Sequence, residues 1–381
     1  METSKKRKIL IVANVAKEHI LKFHIPTIKK LKDEGWIVDV ACSGKEKIPF
    51  CNNQYMMSYK RSPFSLKTFK GIKELKKIID KENYDLVYCH TPVGGLVARL
   101  ASVNARKKET KVIYMAHGYH FFRGAPILNW CIYYPVEKIL SKFTDAIILI
   151  NKEDYEITKN KFKNKNTYLI DGIGIDIDKF KNKNSEEKEK IKYSYREALN
   201  IPQDATVLIY LAELIPNKNQ KLLMDMLKIT LEKYSNVYLV FAGIDHCNGK
   251  LQEYAYKIGV YQNIRFLGWR DDIYNLYAMA DICTASSIRE GFGLNLVEAM
   301  ACCVPVIATQ NRGHSTIIED GENGYLIPLN NPEYFSDKVI ELIKNNNIVK
   351  MFISNSNRNI NKYKSDVIVE NIYKIFSIEM K

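Results

Sequence analysis

Two glutamates on either side of a glycine-bearing turn give the clearest chemical signal in this sequence. Glu290 opens the turn Glu290-Gly291-Phe292-Gly293, and Glu298 follows eight positions later. An apolar run ends at Ser286 and a helical pattern begins near Leu294, so the turn aims backbone N–H groups and a positive helix end at one point. A phosphate fits there, and carboxylates accept hydrogen bonds from sugar hydroxyls. The alternative is that Glu298 only balances the helix dipole and Glu290 is a surface charge.

A lysine and a histidine follow other strand-like runs. Lys218 comes just after the first strand of the second half, where a cation can meet a diphosphate opposite a helix N-terminus. His117 follows a strand-like run of the first half and precedes Gly118, so its ring can project beyond the strand end. A purely structural histidine is the alternative. His24, His90 and His120 are weaker candidates.

Strands and helices alternate along both halves of the chain. Short β-branched runs such as Lys8–Asn14, Leu86–His90, Thr206–Ala212 and Val237–Ala242 predict strands, and longer amphipathic stretches separate them. Strands this apolar indicate parallel sheets that are covered on both faces. The polar segment between Lys179 and Lys192 is predicted to be a linker. The sequence therefore predicts an α/β protein with two doubly wound halves that join near residues 180–200.

Length, charge and cysteine content limit the class of protein. The chain has 381 residues, of which 46% are hydrophobic, enough for two domains. Its eight cysteines form no C-x-x-C pair, and no signal peptide is recognised, which favours a reduced cytoplasmic protein. No apolar run is long enough to cross a bilayer. The net charge of +14 lies in the first 200 residues and suits an anionic partner, although biased codon usage would also produce it.

Several classes of site are disfavoured. The loop after the first strand lacks the G-x-G-x-x-G that a nicotinamide dinucleotide needs. Asp176-Ile177-Asp178 spells D-x-D but sits at the end of the first half, and no cluster with zinc-ligand spacing is found, so no metal site is expected. No recognition motif supports nucleic-acid binding. The aromatic stretch Ala125–Phe143 fits either core packing or a bilayer interface.

A resemblance to a known family becomes specific around the two glutamates. The stretch EGFGLNLVEAM, followed by PVIAT and DGENGYLIP, resembles the family 4 glycosyltransferases, whose E-x7-E motif matches Glu290 and Glu298. The resemblance covers nearly the whole chain. Within the family, the sequence is similar to a bacterial branch that builds capsules, exopolysaccharides and lipid-linked O-antigen repeats. Further stretches that carry it are FHIP, RSPFS, HTPVGG, AHGYHFFRGAP, INKEDY and AELIPNKNQ.

The resemblance implies a fold and domain boundaries. The fold is GT-B: two Rossmann-like doubly wound parallel-sheet domains that face a central cleft. Residues 1–185 would form an acceptor-binding domain and residues 200–360 a nucleotide-sugar-binding domain. Residues 361–381 would form a helix that packs back on the first domain.

The resemblance also implies roles for individual residues. His117 and Glu290 would be catalytic and contact the donor sugar, while Glu298 would hold the ribose. Many family members carry an Arg five residues before the phosphate-binding lysine, and here that position is Glu213. The usual pair of cations is therefore in doubt. The remaining residues implied to bind the donor phosphates are Lys218, Gly291, Phe292, Gly293 and Leu294.

The expected reaction and partners follow from that branch. A retaining, metal-independent hexosyltransferase without a cofactor would move a hexose or N-acetylhexosamine from a UDP-sugar to a lipid-linked saccharide, with polyprenyl diphosphate as the expected carrier, in surface polysaccharide biosynthesis. The protein would be cytoplasmic, in peripheral contact with an anionic membrane, and would not bind nucleic acid. The alternatives are a GT-B nucleotide-sugar epimerase, which would form product without an acceptor, and a basic nucleic-acid-binding module, which would show a steep salt dependence.

Overall fold

The computed structural model describes residues 6–58, 65–181 and 185–381 of the chain. The RSPFS stretch therefore lies mostly outside the described residues. The chain divides into two compact units. The first comprises residues 1–174 together with 365–381, and the second comprises residues 175–364.

The first unit is built on a seven-stranded sheet whose described strand pairs are all parallel. Its spatial order is β3-β2-β1-β4-β5-β6-β7, so the order of the chain reverses between β1 and β4. Residues 9–13 of β1 are completely buried, as expected for a strand covered on both faces. The strands are β1 (Lys8–Val15), β2 (Ile37–Ser43), β3 (Asn53–Met56), β4 (Leu86–His90), β5 (Lys111–Ala116), β6 (Ala146–Leu149) and β7 (Asn166–Leu169).

Helices connect these strands, and the first connection is unusual. A π-helix, Ala16–His24, follows β1 directly and continues into an α-helix that begins at Ile25, with Pro26 in its first turn, where a proline costs no hydrogen bond. The α-helices before the second unit are α1 (Ile25–Asp33), α2 (Leu66–Glu82), α3 (Pro92–Ala101), α4 (Val103–Arg106), α5 (Ile127–Leu140) and α6 (Lys152–Lys161).

The second unit has a six-stranded sheet, again with parallel pairs, in the order β10-β9-β8-β11-β12-β13. Its chain order reverses between β8 and β11, which corresponds to β1 and β4 in the first sheet. The strands are β8 (Thr206–Leu211), β9 (Val237–Ala242), β10 (Ile264–Phe266), β11 (Ile282–Ala285), β12 (Val306–Thr309) and β13 (Tyr325–Ile327).

Nine helices of the described chain belong to the second unit, and one more returns to the first. The last helix packs on the first unit: Phe376 meets the Tyr88 ring edge-on at 4.8 Å between centroids, and Glu370 pairs with Lys30 at 3.2 Å. The helices are α7 (Asp178–Lys181), α8 (Ser185–Ala198), α9 (Gln220–Lys233), α10 (Lys250–Ile258), α11 (Ile273–Met279), α12 (Leu294–Ala301), α13 (His314–Ile317), α14 (Pro332–Lys344), α15 (Asn346–Asn359) and α16 (Ser365–Glu379).

The predicted α/β fold with two doubly wound parallel sheets is confirmed, but the predicted linker is wrong in part. From Ser185 onward the polar segment is the helix α8, which Arg196 anchors to the second unit. The buried Arg196 guanidinium donates hydrogen bonds to the Met279 carbonyl and to Asp281, both at 2.8 Å. A sequence pattern misses this helix because polar contacts rather than an apolar stripe fasten it: besides Arg196, Lys192 pairs with Asp281 at 2.9 Å and the Tyr195 hydroxyl donates to Asp272 at 2.6 Å.

The aromatic stretch after β5 forms α5, in which Ile127 and Leu128 are exposed while Leu140 is buried. One end of this helix thus packs in the core while the other is at the surface, and the bilayer interface stays a prediction. Within the part of the chain that the structure describes, no helix is both long and apolar enough to cross a bilayer.

Candidate active site

A charged pair lies where the chain order of the second sheet reverses. Lys218 follows β8 and Glu290 follows β11, and these strands are neighbours, with Ile282 opposite Leu208. The Lys218 ammonium donates a hydrogen bond to Oε1 of Glu290 in an ion pair, and the two side chains are 22% and 18% exposed. Ligands of open α/β sheets bind beyond the carboxyl ends of the strands at such a reversal. The structure thus brings two of the predicted site residues into contact at that position.

A chain of hydroxyl groups fixes the carboxylate of Glu290. Ser287 Oγ donates to Glu290 Oε1 at 2.6 Å, and the buried Tyr210 hydroxyl lies 2.6 Å from Ser287 Oγ. Because the serine hydrogen is used on Glu290, Tyr210 must donate to Ser287. Burial raises the pKa of Glu290, but the charges of Lys218 and His314 and the hydrogen bonds from Lys218 and Ser287 outweigh it. The pKa of Glu290 therefore lies below its ordinary value, and the carboxylate is charged at neutral pH.

The turn that carries Glu290 depends on two close-packed glycines. Gly293, just before α12, has φ of +125°, a conformation that favours glycine. A Cβ atom on Gly313 would lie 2.5 Å from the Phe292 carbonyl oxygen and 2.7 Å from Cβ of Glu290. The first N–H groups of a helix have no partner within it, so the turn and the start of α12 together present donors and a positive helix end.

Lys218 is positioned by its own backbone. It ends a short 3-10 turn, and the next residue, Asn219, has φ of +50° before α9 begins. Ser286 Oγ donates to the Lys218 carbonyl at 2.7 Å, and the Ile288 N–H donates to the Asn217 carbonyl at 2.8 Å. The loops after β8 and β11 are therefore held together by hydrogen bonds in addition to the ion pair.

Glu298 lies further along α12, half-buried and beside Tyr277 of α11. Burial raises the pKa of the Tyr277 hydroxyl, and the nearby carboxylate of Glu298 raises it further. The same hydroxyl donates to the Asn295 carbonyl at 2.8 Å. The predicted role of Glu298 in holding a ribose stays a prediction.

A cation that the sequence reasoning missed contacts the backbone of Glu290. Arg312 follows β12, and its Nε donates to the Glu290 carbonyl at 3.3 Å. Glu213, which replaces the usual family arginine, is exposed, and its carbonyl accepts a hydrogen bond from Gln220 at 2.9 Å. The position of Arg312 after an apolar strand was the signal that could have identified it.

His117 belongs to the first unit and lies in a group of histidines. Its Nε2 is 3.3 Å from Nδ1 of His90, and its ring centroid is 4.7 Å from that of His19 and 5.7 Å from that of His24. His24 and His90 were weaker candidates, and His19 was missed. His120 instead stacks on Tyr133 at 4.6 Å.

The D-x-D side chains have structural partners. Asp178 pairs with Lys364, at 2.8 and 3.0 Å from its two oxygens. Asp176 Oδ1 accepts a hydrogen bond from the Lys179 backbone N–H at 3.2 Å.

Comparison with known proteins identifies the class that this fold and site define, the GT-B glycosyltransferases. Residues 8–151 match the family described as "Glycosyl transferase 4-like", and residues 192–359 match "Glycosyl transferases group 1". The chain is 40% identical to the "Putative glycosyltransferase EpsD" of Bacillus subtilis over 98% of its own length and 97% of that protein. The chain therefore belongs to the family 4 glycosyltransferases and is an enzyme of that class.

More distant relatives and a solved structure agree. An Escherichia coli protein named UDP-Gal:alpha-D-GlcNAc-diphosphoundecaprenol alpha-1,3-galactosyltransferase is 25% identical over 74% of each chain. The crystal structure of Anabaena Alr3699/HepE in complex with UDP and glucose superposes with a TM-score of 0.79 at 21% identity, covering 97% of this chain and 99% of that one. The last comparison shows the shared fold.

Proposed function

We propose that this glycosyltransferase moves a hexose or N-acetylhexosamine from a UDP-sugar to a polyprenyl-diphosphate-linked saccharide, with retention of anomeric configuration, in surface polysaccharide biosynthesis. The observation that carries the proposal is the Lys218–Glu290 pair at the turn before α12. The names of the Escherichia coli galactosyltransferase and of the HepE complex support a UDP-linked donor, and the former also supports a lipid diphosphate acceptor.

In this proposal the second unit binds the donor diphosphate. An ammonium group has three N–H donors, so Lys218 can keep one on Glu290 and offer the others to phosphate oxygens. The backbone N–H groups of Gly291, Phe292, Gly293 and Leu294 supply further donors at the positive end of α12. Many family members place a second cation, an arginine, at the position that Glu213 occupies here. In this proposal Arg312 provides that second positive charge instead.

The chemical step follows from these positions. The bond between the anomeric carbon and the diphosphate oxygen breaks, a bond from that carbon to the acceptor oxygen forms, and the acceptor proton passes to the departing diphosphate. Charge grows on the diphosphate as the bond breaks, and Lys218 and the start of α12 stabilise it. Because these groups supply the positive charge, the proposed reaction needs neither a metal nor a cofactor. Glu290 and, from the first unit, His117 are proposed to contact the donor sugar, and Glu298 the ribose.

The first unit offers a surface for a lipid-linked acceptor. A cavity of about 410 Å³ is lined mainly by apolar groups, among them Phe69 of α2, Leu96 of α3 and Tyr133 of α5. Leu66 and Ile127, at the starts of α2 and α5, are 86% and 78% exposed. Exposed lysines on α2, Lys67 and Lys70, flank the apolar side chains there. Apolar groups with neighbouring cations suit the headgroup region of an anionic membrane, so we propose a cytoplasmic protein in peripheral contact with the membrane.

The donor assignment is tested by turnover with a UDP-sugar panel and a polyprenyl-diphosphate saccharide. We expect Lys218→Ala and Glu290→Gln each to lower kcat by roughly 10²–10³-fold, the usual loss when a preorganised charge at the reacting group is removed. Lys221→Ala and Glu232→Gln, exposed positions on α9, are matched controls. Wild-type turnover in both site variants would refute the assignment, and product formed without acceptor would identify an epimerase instead.

The membrane assignment is tested by flotation with vesicles of anionic or neutral phospholipid. We expect binding to anionic vesicles only, weakened by Leu66→Ser combined with Ile127→Ser and unaffected by Trp269→Ser, an exposed aromatic residue of the second unit. Equal binding to neutral vesicles, or no loss in the double variant, would contradict this part of the proposal.

A further inference from the structure

Four histidines of the first unit converge on one point. His19 and His24 belong to the π-helix after β1, His90 is the last residue of β4, and His117 directly follows β5. One ring nitrogen from each lies within 4.8 Å of the corresponding nitrogen of every other. His19, His24 and His90 are buried, and His117 is half-buried. We call these four residues the histidine cluster.

The sheet explains why residues so far apart in sequence meet. β1, β4 and β5 are consecutive in the spatial order, and all are parallel, so their carboxyl ends lie along one edge. The cluster occupies that edge at the point where the chain order reverses, which is the usual place for a ligand in such a sheet.

The π-helix contributes two members of the cluster. In an α-helix, residues five apart point about 140° away from each other, because each residue turns the helix by about 100°. A π-helix closes its hydrogen bonds between residues five apart, and such segments are frequent at functional sites. Here His19 and His24 are five apart, and their Nε2 atoms are 3.1 Å from each other. The rare backbone geometry brings these two rings together.

The spacing of the nitrogens fits a tetrahedral metal ion. With metal–nitrogen bonds of 2.0–2.1 Å, neighbouring ligand nitrogens lie about 3.3 Å apart. The 3.1 Å between His19 and His24 and the 3.3 Å between His90 and His117 are close to that value. The wider separations in the cluster, up to 4.8 Å, mean that binding one ion would require some rings to turn about their side-chain bonds.

The chemical state of the rings also suits a metal. Burial lowers the pKa of His19 to about 4, and burial, with the neighbouring histidines, lowers the pKa values of His24, His90 and His117 below their ordinary range. Neutral imidazoles keep a lone pair for coordination.

We propose that His19, His24, His90 and His117 bind one zinc ion. Imidazole suits zinc among the available divalent metals, and four protein ligands with no open position are typical of a structural rather than a catalytic zinc site. The ion ties the π-helix to the ends of β4 and β5. The cluster shares His117 with the proposed contacts to the donor sugar, but the experiments below measure zinc binding rather than sugar transfer, so a failure of this proposal can be distinguished from a failure of the proposed function. His117 commits one ring nitrogen to the ion and retains the other for a sugar.

The first experiment measures zinc on the purified full-length chain without an affinity tag. After chelation and reloading, we expect one tightly bound zinc per chain by elemental analysis and by competition with a chromophoric chelator. Cobalt substituted for zinc should give the intense visible bands of tetrahedral coordination without a thiolate charge-transfer band. An octahedral cobalt spectrum, a thiolate band or no bound metal in the wild type would overturn the proposal without recourse to any variant.

The second experiment assigns the ligands. Removing a residue that only hydrogen-bonds to a metal ligand lowers metal affinity roughly 10–100-fold. Because His24 and His90 are proposed as direct ligands, we expect His24→Gln and His90→Gln to weaken zinc binding at least tenfold. His246→Gln, an exposed histidine of the second unit, is the matched control. Zinc should also raise the Tm of the wild type and of the control but not of the two variants. Unchanged affinity and an unchanged Tm response in both variants would show that the cluster is only a hydrogen-bonded group of neutral rings.

Discussion

The two sheets of this molecule reverse their chain order at corresponding strands but place opposite chemistry there. In the first unit the reversal between β1 and β4 holds four neutral histidines, three of them buried. In the second unit the reversal between β8 and β11 holds the charged Lys218–Glu290 pair beside a glycine-bearing turn. The topology makes an equivalent place for a ligand in each sheet, and the residues that follow the strands decide whether that place suits a metal ion or a diphosphate.

A second charged pair shows that burial alone does not make a site. Arg99 of α3 is fully buried, donates to Glu137 of α5 at 2.8 Å and to the Gly95 carbonyl at 2.9 Å, and lies over the Tyr114 ring at 4.0 Å. These partners are all internal to the first unit. Lys218, in contrast, is 22% exposed, so its ammonium can still reach a ligand.

The largest effect on stability should come from breaking that internal pair. Arg99→Ala leaves the Glu137 carboxylate buried without its cation, and we expect a loss of about 3–5 kcal/mol in the free energy of unfolding. Urea denaturation measures it, and UDP affinity of the folded fraction should stay unchanged. As a control, Lys76→Ala removes an exposed pair with Asp80 and should cost less than about 0.5 kcal/mol. A large change in UDP affinity in Arg99→Ala would contradict the distinction between a purely structural Arg99–Glu137 pair and a ligand-binding Lys218–Glu290 pair.

A smaller effect is expected from crowding the donor turn. At Gly313, φ is −73°, so alanine is acceptable to the backbone but its Cβ would press on the Phe292 carbonyl. We expect Gly313→Ala to cost about 1–3 kcal/mol of stability and to weaken UDP binding measured by calorimetry.

The matched control for the turn separates steric crowding by the new Cβ atom from strain in the backbone. Gly259 has φ of +83°, and a Cβ atom there would meet no atom of the described residues within 4 Å, so Gly259→Ala tests backbone strain without crowding. It should cost about 1–2 kcal/mol and leave UDP binding unchanged. Equal losses of UDP affinity in the two variants would show that the effect at Gly313 is general destabilisation.

The smallest expected effect concerns Glu298. If its carboxylate holds the ribose, Glu298→Gln should raise KM for the UDP-sugar about tenfold with little change in kcat, since one charge-assisted hydrogen bond contributes about 1.5 kcal/mol or more. Steady-state kinetics with varied donor give both constants. A fall in kcat with unchanged KM would instead place Glu298 at the reacting centre and remove the proposed distinction from Glu290.

The sequence predicted the regular elements well where burial is strong. The predicted strands Leu86–His90 and Val237–Ala242 match β4 and β9. It missed β3, which is only partly buried, because half-exposed residues such as Gln54 carry no apolar pattern. It also missed the helix α8, because polar contacts, among them those of the buried Arg196, attach it in place of an apolar stripe.

The sequence by itself determined the family, the two-sheet α/β fold and the candidate residues around Glu290, because apolar periodicity and a turn motif are local properties of the chain. Only the tertiary structure decided which of those residues meet. Lys218 and Glu290 are 72 positions apart, and His19 and His117 are further apart still, so their contacts depend on strand order and on a π-helix that local pattern does not specify. Arg312 and the histidine cluster became visible for the same reason: parallel strands collect distant residues at one edge of a sheet.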